Sequence, residues 1–203
     1  MHIKCDFKLF YGIMNTIILS FGANISGIHG KPLDCFLNAL QVLENDGMIF
    51  KKISSLYLSP SIGAAYLPPF YNFVAICSTR HHPNRLMRKF KQLERASGRR
   101  GSLYWGARPL DIDIIDFNGT VLNWSFLNKN RMSRLKKRHS NITPLVYPHK
   151  DMHKRAFVLK PLIEVLPTWR HPVFGQSAGH LMRLHCSHFM IKATEKLDIS
   201  LNL

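Results

Sequence analysis

The pattern of apolar and polar residues predicts a strand followed by a helix near the start of the chain. Ile17–Phe21 is a mostly apolar run that ends at Gly22, which is typical of a buried strand leading into a turn. Pro32 stands where the first residue of a helix would, and apolar residues recur at helical spacing until Asn45-Asp46-Gly47. We therefore predict the first strand at 17–21 and the first helix from residue 32.

Two further strands and a second helix follow. Met48–Leu58 and Phe70–Ser78 are rich in β-branched and aromatic residues, and a loop with Gly and Pro separates them. Pro83 opens an amphipathic segment whose apolar side chains share one face, and Gly98 ends it. These segments predict the second strand, the third strand and the second helix.

The rest of the chain predicts a hairpin, one more strand and a short helix. Leu110–Phe117 and Val121–Leu122 flank Asn118-Gly119, a strong hairpin signal. Phe157–Leu159 is a further strand candidate, and Ser177–Leu184 is a helix candidate. The order β-α-β-β-α-β predicts an α+β fold of the ferredoxin-like type, with a mostly antiparallel sheet flanked by helices.

Length and composition favour one domain. With 203 residues, 46% of them hydrophobic, the chain can bury a substantial core, and it has no linker-like stretch rich in Pro and Ser. Its four cysteines lack metal-site or scaffold spacing and are typical of reduced thiols in a cytoplasmic protein. Leu9–Phe21 resembles a signal peptide, but Gly12 and Asn15 interrupt it, and no segment is predicted to enter a membrane.

The charge balance indicates a polyanionic partner. Lys and Arg number 28 against 12 Asp and Glu, giving a formal net charge of +16. One basic cluster lies between Arg80 and Arg108, and another lies within Lys129–Arg138. Charge alone does not distinguish nucleic acid from the phosphates of a nucleotide.

A pair of aspartates narrows the range of reactions that the sequence predicts. Asp111 and Asp113 alternate with apolar residues on a predicted strand, so both carboxylates face the same side. Such a pair fits a hard cation such as Mg²⁺, although the polar side of an edge strand gives the same pattern. The preceding Arg99, Arg100, Trp105 and Arg108 add phosphate donors and a stacking surface, which favours chemistry on a nucleotide with magnesium.

Two motifs identify a resemblance to a known family. They read Trp105-Gly106-Ala107-Arg108-Pro109-Leu110-Asp111-Ile112-Asp113 and Pro148-His149-Lys150-Asp151-Met152-His153-Lys154-Arg155-Ala156-Phe157-Val158-Leu159. Together they resemble the 6-hydroxymethyl-7,8-dihydropterin pyrophosphokinases of folate biosynthesis. The resemblance places the domain at 16–186, with an N-terminal extension at 1–15, a basic insert at about 123–147 and a C-terminal tail at 187–203.

The resemblance implies transfer of pyrophosphate from ATP to the pterin hydroxymethyl oxygen, by a monomer that uses two Mg²⁺ ions. It implies catalytic roles for Arg99, Arg108, Asp111 and Asp113, with the two aspartates as metal ligands. The residues implied for ATP are Lys91, Glu94, Arg100, Trp105, Arg108, Ile114, His149 and Arg155. Those implied for the pterin are Ser59, Pro60, Ile62, Phe70, Asn72, Trp105, Asp111 and Phe157.

Other hypotheses stay open at this point. A nucleic-acid-binding ferredoxin-like module fits the charge but lacks an aromatic reading motif. Gly27–Lys31 loosely resembles a P-loop, but Ile25 and Pro32 break the required pattern. His149 and His153 imitate half of a zinc site without its glutamate. An inactive relative of the family also fits, and the basic insert could be a lid, a docking loop or a solvated linker.

Overall fold

The computed structural model describes residues 14–61, 67–99, 106–124, 145–199 and 201. Strands β1 (Asn15–Ala23), β2 (Ile49–Ile53), β3 (Tyr57–Ser59), β4 (Phe70–Thr79), β5 (Asp111–Phe117) and β6 (Glu195–Lys196) form its sheet. The helices are α1 (Pro32–Asn45), α2 (Pro83–Ala96), α3 (Ala156–Val165), α4 (Ala178–His185) and α5 (His188–Lys192), with a 3₁₀ turn at Met152–Lys154. Where the chain is described, no helix has the length and hydropathy that a membrane span requires.

The sheet is antiparallel and has β4 at its centre. Its strands lie in the order β5-β1-β4-β3-β6, and β2 also pairs with β4. β2 and β3 together occupy one strand position beside β4. The sheet therefore has the ferredoxin-like arrangement, and the predicted fold class is confirmed.

Alternation along β1 divides the core into two layers. Ile17, Leu19 and Phe21 face α1 and α2, where Phe21 and Phe73 stack at 4.4 Å between ring centroids. Ile18 faces the opposite side and packs with α3 and α4. The sheet is thus covered on one face by α1 and α2 and partly covered on the other by α3 and α4.

A bulge in β5 places two successive residues on the face that α3 covers. The β1–β5 register shifts between Ile18 and Leu19, so Ile115 has no pairing partner on β1. Ile115 joins the core under α3, and the buried Asp116 accepts a hydrogen bond from Trp169 Nε1 at 2.9 Å. Burial raises the pKa of Asp116, and the hydrogen bonds from Trp169 Nε1 and Gly119 N partly oppose that rise.

Three predictions of secondary structure are wrong. Phe157–Leu159 is not a strand but part of α3, because the residues after it continue the apolar pattern at helical spacing. Met48–Leu58 is not one strand: Ser54 interrupts it, since its hydroxyl accepts a hydrogen bond from Val74 N at 3.0 Å. Asn118-Gly119 does turn with positive φ, but Leu122 then forms an isolated bridge with Tyr147 instead of a hairpin strand.

The sheet includes residues beyond both predicted ends of the domain. β1 already begins at Asn15, inside the predicted N-terminal extension. In the predicted tail, β6 pairs with β3, and Leu197 N donates to Leu56 O at 2.8 Å. Leu201, only 8% exposed, packs into the core beside α1 and α2. Most of the basic insert lies outside the described residues, so the three hypotheses about it stay open.

Candidate active site

A cleft of about 650 Å³, including its open mouth, lies over β1 on the face that α3 partly covers. It is formed by the end of β3, the start of β4, the start of β5, the segment before β5 and the start of α3. Its lining residues are Ser20, Gly22, Ser59, Pro60, Phe70, Asn72, Gly106, Arg108, Asp111, Asp113, Arg155 and Phe157. Residues from distant parts of the sequence therefore meet in one cleft.

The register of three strands sets the floor of the cleft. Gly22 on β1 lies between Asn72 on β4 and Asp111 on β5. A Cβ at Gly22 would lie 3.4 Å from Asn72 Oδ1 and 3.8 Å from a ring carbon of Phe70. The missing side chain thus leaves a flat area of floor between an amide, an aromatic ring and a carboxylate.

The two predicted aspartates both face the cleft, and each meets arginine. Asp111 Oδ1 lies 3.0 Å from Arg99 Nη1, and Asp111 Oδ2 lies 2.6 Å from Arg108 Nη1. Asp113 Oδ2 lies 3.5 Å from Arg155 Nη1 and 3.8 Å from His149 Nε2. The paired carboxylates therefore sit among cations that also suit phosphate oxygens.

This positive field decides the ionisation of Asp113. Burial on its own would raise the pKa of Asp113, but His149, Arg155 and more distant cations outweigh it, so the pKa lies below its usual value. Burial also lowers the pKa of His149, an effect that Asp113 partly opposes. At neutral pH, Asp113 is accordingly a carboxylate.

Glu94 lies beneath the carboxylate pair as a buried anchor. It is 1% exposed, contacts Arg99 Nη1, and accepts hydrogen bonds from Lys91 Nζ at 2.7 Å and Ile112 N at 3.1 Å. Burial raises the pKa of Glu94, while Lys91 and Arg99 act in the opposite direction. Because Arg99 Nη1 contacts both Glu94 and Asp111, Glu94 positions Arg99 toward the cleft.

The opposite wall carries an amide held in one orientation. Asn72 Nδ2 donates to Ser59 Oγ at 3.0 Å and to Phe70 O at 3.1 Å. These bonds turn Oδ1 toward the floor at Gly22. Phe70 and Phe157 add aromatic surface, and the Arg155 guanidinium lies 5.8 Å from the Phe157 ring centroid.

Asn24, just after β1, fixes the rim of the cleft. Asn24 Oδ1 accepts from Arg108 N at 2.7 Å, and Asn24 N donates to Arg108 O at 2.9 Å. Its Nδ2 donates to Pro68 O at 3.2 Å, two residues before β4 begins. One buried amide thus joins the segment that carries Arg108 to the loop before Phe70.

The structure brings most of the predicted site residues together. Ser59, Pro60, Phe70, Asn72, Arg108, Asp111, Asp113, Arg155 and Phe157 line the cleft, and Arg99 and His149 contact its carboxylates. Lys91 and Glu94 lie behind them. Ile62, Arg100 and Trp105 are outside the described residues.

One residue predicted to contact ATP, Ile114, has its side chain on the face of the sheet opposite the cleft. The Ile114 side chain is 3% exposed and packs into the core beside α1 and α2, because it alternates with Asp113. A direct contact of this side chain with a ligand in the cleft does not fit that placement.

Sequence reasoning missed three residues that line the cleft: Ser20, Gly22 as a floor residue, and Gly106. The prediction assigned Gly22 to a turn, whereas it is a paired residue of β1. A signal for the first two was available, since two small residues at alternate positions of an apolar strand share one face. Nothing in the sequence marked Gly106 apart from the motif around it.

The carboxylate pair fits a magnesium site completed by a substrate. Among the described residues, no three His, Cys, Asp or Glu side chains are grouped to hold a metal ion. Mg²⁺ commonly takes only one or two protein carboxylates and fills its other positions with phosphate oxygens and water. Asp111 and Asp113 supply that donor set, whereas neither His149 nor His153 belongs to a group of three such side chains in the described ranges.

Comparisons with known proteins agree with this geometry. The family model described as 7,8-dihydro-6-hydroxymethylpterin-pyrophosphokinase matches residues 18–167. The 2-amino-4-hydroxy-6-hydroxymethyldihydropteridine pyrophosphokinase of Aquifex aeolicus is 30% identical over 161 residues, which cover 79% of this chain and 86% of that protein. The enzyme of the same name from Pseudomonas aeruginosa is 30% identical over 160 residues, with coverage of 79% and 86%.

Longer relatives contain the same unit. The mitochondrial folate synthesis bifunctional protein of Arabidopsis thaliana is 29% identical over 152 residues, and the match spans 24% of its length. The crystal structure of wild-type Plasmodium falciparum HPPK-DHPS with STZ-DHP superposes with a TM-score of 0.62 at 16% identity, covering 92% of this chain and 46% of that one. The chain belongs to the 7,8-dihydro-6-hydroxymethylpterin-pyrophosphokinase family, as its motifs predicted.

Proposed function

We propose that this pyrophosphokinase transfers pyrophosphate from ATP to the hydroxymethyl oxygen of 6-hydroxymethyl-7,8-dihydropterin in the cleft above Gly22. The observation that carries the proposal is the width of the floor. A single strand, β1, separates the amide and aromatic wall at Asn72 and Phe70 from the carboxylates at Asp111 and Asp113. An acceptor on one wall and a triphosphate on the other would meet over this strand.

The wall formed by β3 and β4 suits a flat heterocycle. Phe70 and Phe157 offer aromatic faces, and Asn72 Oδ1 is an acceptor without another partner among the described residues. Such an acceptor, fixed by two bonds from Nδ2, selects a ligand edge that carries N–H donors. A dihydropterin has this edge, and its hydroxymethyl arm would extend toward Asp111.

The wall formed by β5 and the start of α3 suits a triphosphate. Arg99, Arg108 and Arg155 each direct a guanidinium to the carboxylate pair. Magnesium, when bound by Asp111 and Asp113, would neutralise charge on the phosphates; we propose two ions, as the resemblance implies. The arginines would then exchange carboxylate contacts for phosphate oxygens.

The reaction depends on alignment of the two substrates more than on covalent catalysis by the protein. The hydroxymethyl oxygen forms a bond to the β-phosphorus and loses its proton, while the bond from the β-phosphorus to the oxygen bridging to the α-phosphorus breaks and AMP leaves. Asn72 and the aromatic wall would fix the acceptor, and the arginines would fix the triphosphate. Holding both reactants in line supplies much of the acceleration in such transfers.

An assay of AMP release tests the proposal and also distinguishes an active enzyme from an inactive relative. With Mg²⁺ and ATP, we expect AMP to form only when the hydroxymethyl-dihydropterin is added. Asp113→Asn should lower kcat by roughly 100-fold or more, the loss typical of removing one electrostatic group at a transition state. Asp198→Asn, at an exposed position near the C-terminus, is the matched control and should keep full activity. Pterin-independent AMP, or no AMP at all, would contradict the proposal.

A further inference from the structure

Ser20 lines the cleft but belongs to neither of the two walls proposed to hold the substrates. It is the residue of β1 two positions before Gly22, on the same face, and it lies opposite Val74 on β4 and Asp113 on β5. Beyond it, Ile18 and Val74 belong to the core under α3. Ser20 therefore marks the closed end of the floor, where the cleft meets the apolar core.

The hydroxyl of Ser20 has no partner among the described residues. The residue is 8% exposed and lines the cleft, and its Oγ forms no hydrogen bond to any residue in the described ranges. This Oγ is not one of the fully enclosed polar atoms that lack a partner, so it is accessible from the cleft. An unpaired hydroxyl that lines a cleft points to a hydrogen bond made by whatever fills the cleft.

The position of Ser20 favours the acceptor substrate over the triphosphate. A flat ring lying on Gly22 and bound by Asn72 extends along β1 by two residues, roughly 6.6–7 Å, to reach Ser20. The triphosphate side already has three arginines directed to the carboxylates. Ser59, the other hydroxyl among the described residues that line the cleft, already accepts from Asn72 Nδ2.

We propose that Ser20 Oγ forms a hydrogen bond with the edge of the bound heterocycle and is a specificity-determining residue for the acceptor. The inference rests on the proposed function, since it assumes that a pterin lies on the floor at Gly22. Asn72 then forms a hydrogen bond with one edge of the ring, and Ser20 forms one with the edge directed into the molecule. A heterocycle without a polar atom at that edge would leave the hydroxyl unpaired and bind more weakly.

Ser20→Ala tests this by removing only the hydroxyl. The dissociation constant of the hydroxymethyl-dihydropterin is measured by calorimetry with Mg²⁺ and saturating α,β-methylene ATP, which cannot transfer pyrophosphate. We expect a rise of roughly tenfold in this constant and in the KM for the pterin, the usual worth of one hydrogen bond. The KM for ATP and the Tm should stay unchanged, because the hydroxyl bonds to no other described residue.

Two further variants make the test specific. Ser20→Cys keeps the shape and a weak donor, so its pterin affinity should fall between those of the wild type and Ser20→Ala. Ser78→Ala removes a hydroxyl from β4 outside the cleft and should change neither constant.

Three results would overturn the inference. A pterin constant within twofold of the wild type would show that the hydroxyl does not touch the acceptor. A change confined to the KM for ATP or to the Mg²⁺ requirement would place its partner on the phosphate side, and a fall in Tm with all constants altered would show a structural role. If the wild type itself bound no pterin, the proposed function would fail together with this inference.

Discussion

Acid pH should destabilise the protein through two buried histidines outside the cleft. His171 is fully buried and stacks on Phe174 at 4.4 Å between centroids; its Nδ1 accepts from Val173 N at 3.2 Å, and its Nε2 has no partner among the described residues. His153 is 8% exposed, its ring centroid lies 6.2 Å from that of His171, and its Nδ1 likewise has no partner in the described ranges. Asp151 raises the pKa of His153, but its effect is smaller than those of burial, Lys154 and His185.

Burial lowers the pKa of each ring to about 4, with Lys154 and His185 adding to the effect at His153, and His153 adding to it at His171. In the unfolded chain a histidine takes up its proton near pH 6.5, so the unfolded state binds more protons as the pH falls from 6.5 toward 4. Stability is therefore lost across that window. Integrating the difference in bound protons from pH 7 to pH 5 gives about 2 kcal/mol for each ring, or about 4 kcal/mol together.

Urea unfolding at pH 7 and pH 5, at constant ionic strength, measures this loss. His153→Phe should reduce the difference in unfolding free energy between the two pH values by about 2 kcal/mol, because it removes one of the two rings that resist charging. The same substitution at His180, which is exposed on α4, should leave the difference unchanged. If wild type and His153→Phe lost equal stability between pH 7 and pH 5, the assignment of the loss to these rings would be wrong.

Other predictions concern the floor, the anchor and the tail. Gly22→Ala should raise the KM for the pterin with little change in Tm, because the new Cβ stands in the cleft 3.4 Å from Asn72 Oδ1; an unchanged KM would place the acceptor elsewhere. Glu94→Gln should lower the free energy of unfolding by about 3 kcal/mol in urea titration, since it breaks a buried ion-pair network; the exposed Glu195→Gln should have no effect of this size. Leu201→Ala should lower the free energy of unfolding by roughly 2–3 kcal/mol in the same urea titration. An unchanged free energy of unfolding would show that the tail does not contribute to the core.

Local sequence patterns were sufficient for much of the molecule. The first two helices and the strands at 17–21 and 70–78 were predicted correctly because turn residues and apolar periodicity are short-range signals. The common face of Asp111 and Asp113 also follows from alternation on one strand. The same alternation directs the Ile114 side chain to the core, and the predicted contact of this residue with ATP stays a prediction.

Other features depend on long-range contacts that no local pattern contains. The first three residues of an apolar run do not distinguish a strand from a helix, so Phe157, which lines the cleft, was assigned to the wrong element. The pairing of β6 with β3 joins segments far apart in sequence. The sequence did not predict the burial of Glu94 under Arg99 either, since a glutamate on a basic helix is normally solvated.

By itself, the sequence determined the family, the fold class and the chemistry, because the two motifs and the aspartate pair are fixed by the order of residues and by strand geometry. Only the tertiary structure decided that Gly22 and Ser20 form the floor of the cleft, since β1 acquires this role when β4 and β5 pair on either side of it. The position of a residue in a sheet depends on its neighbours across the strands, and these neighbours lie dozens of residues away along the chain.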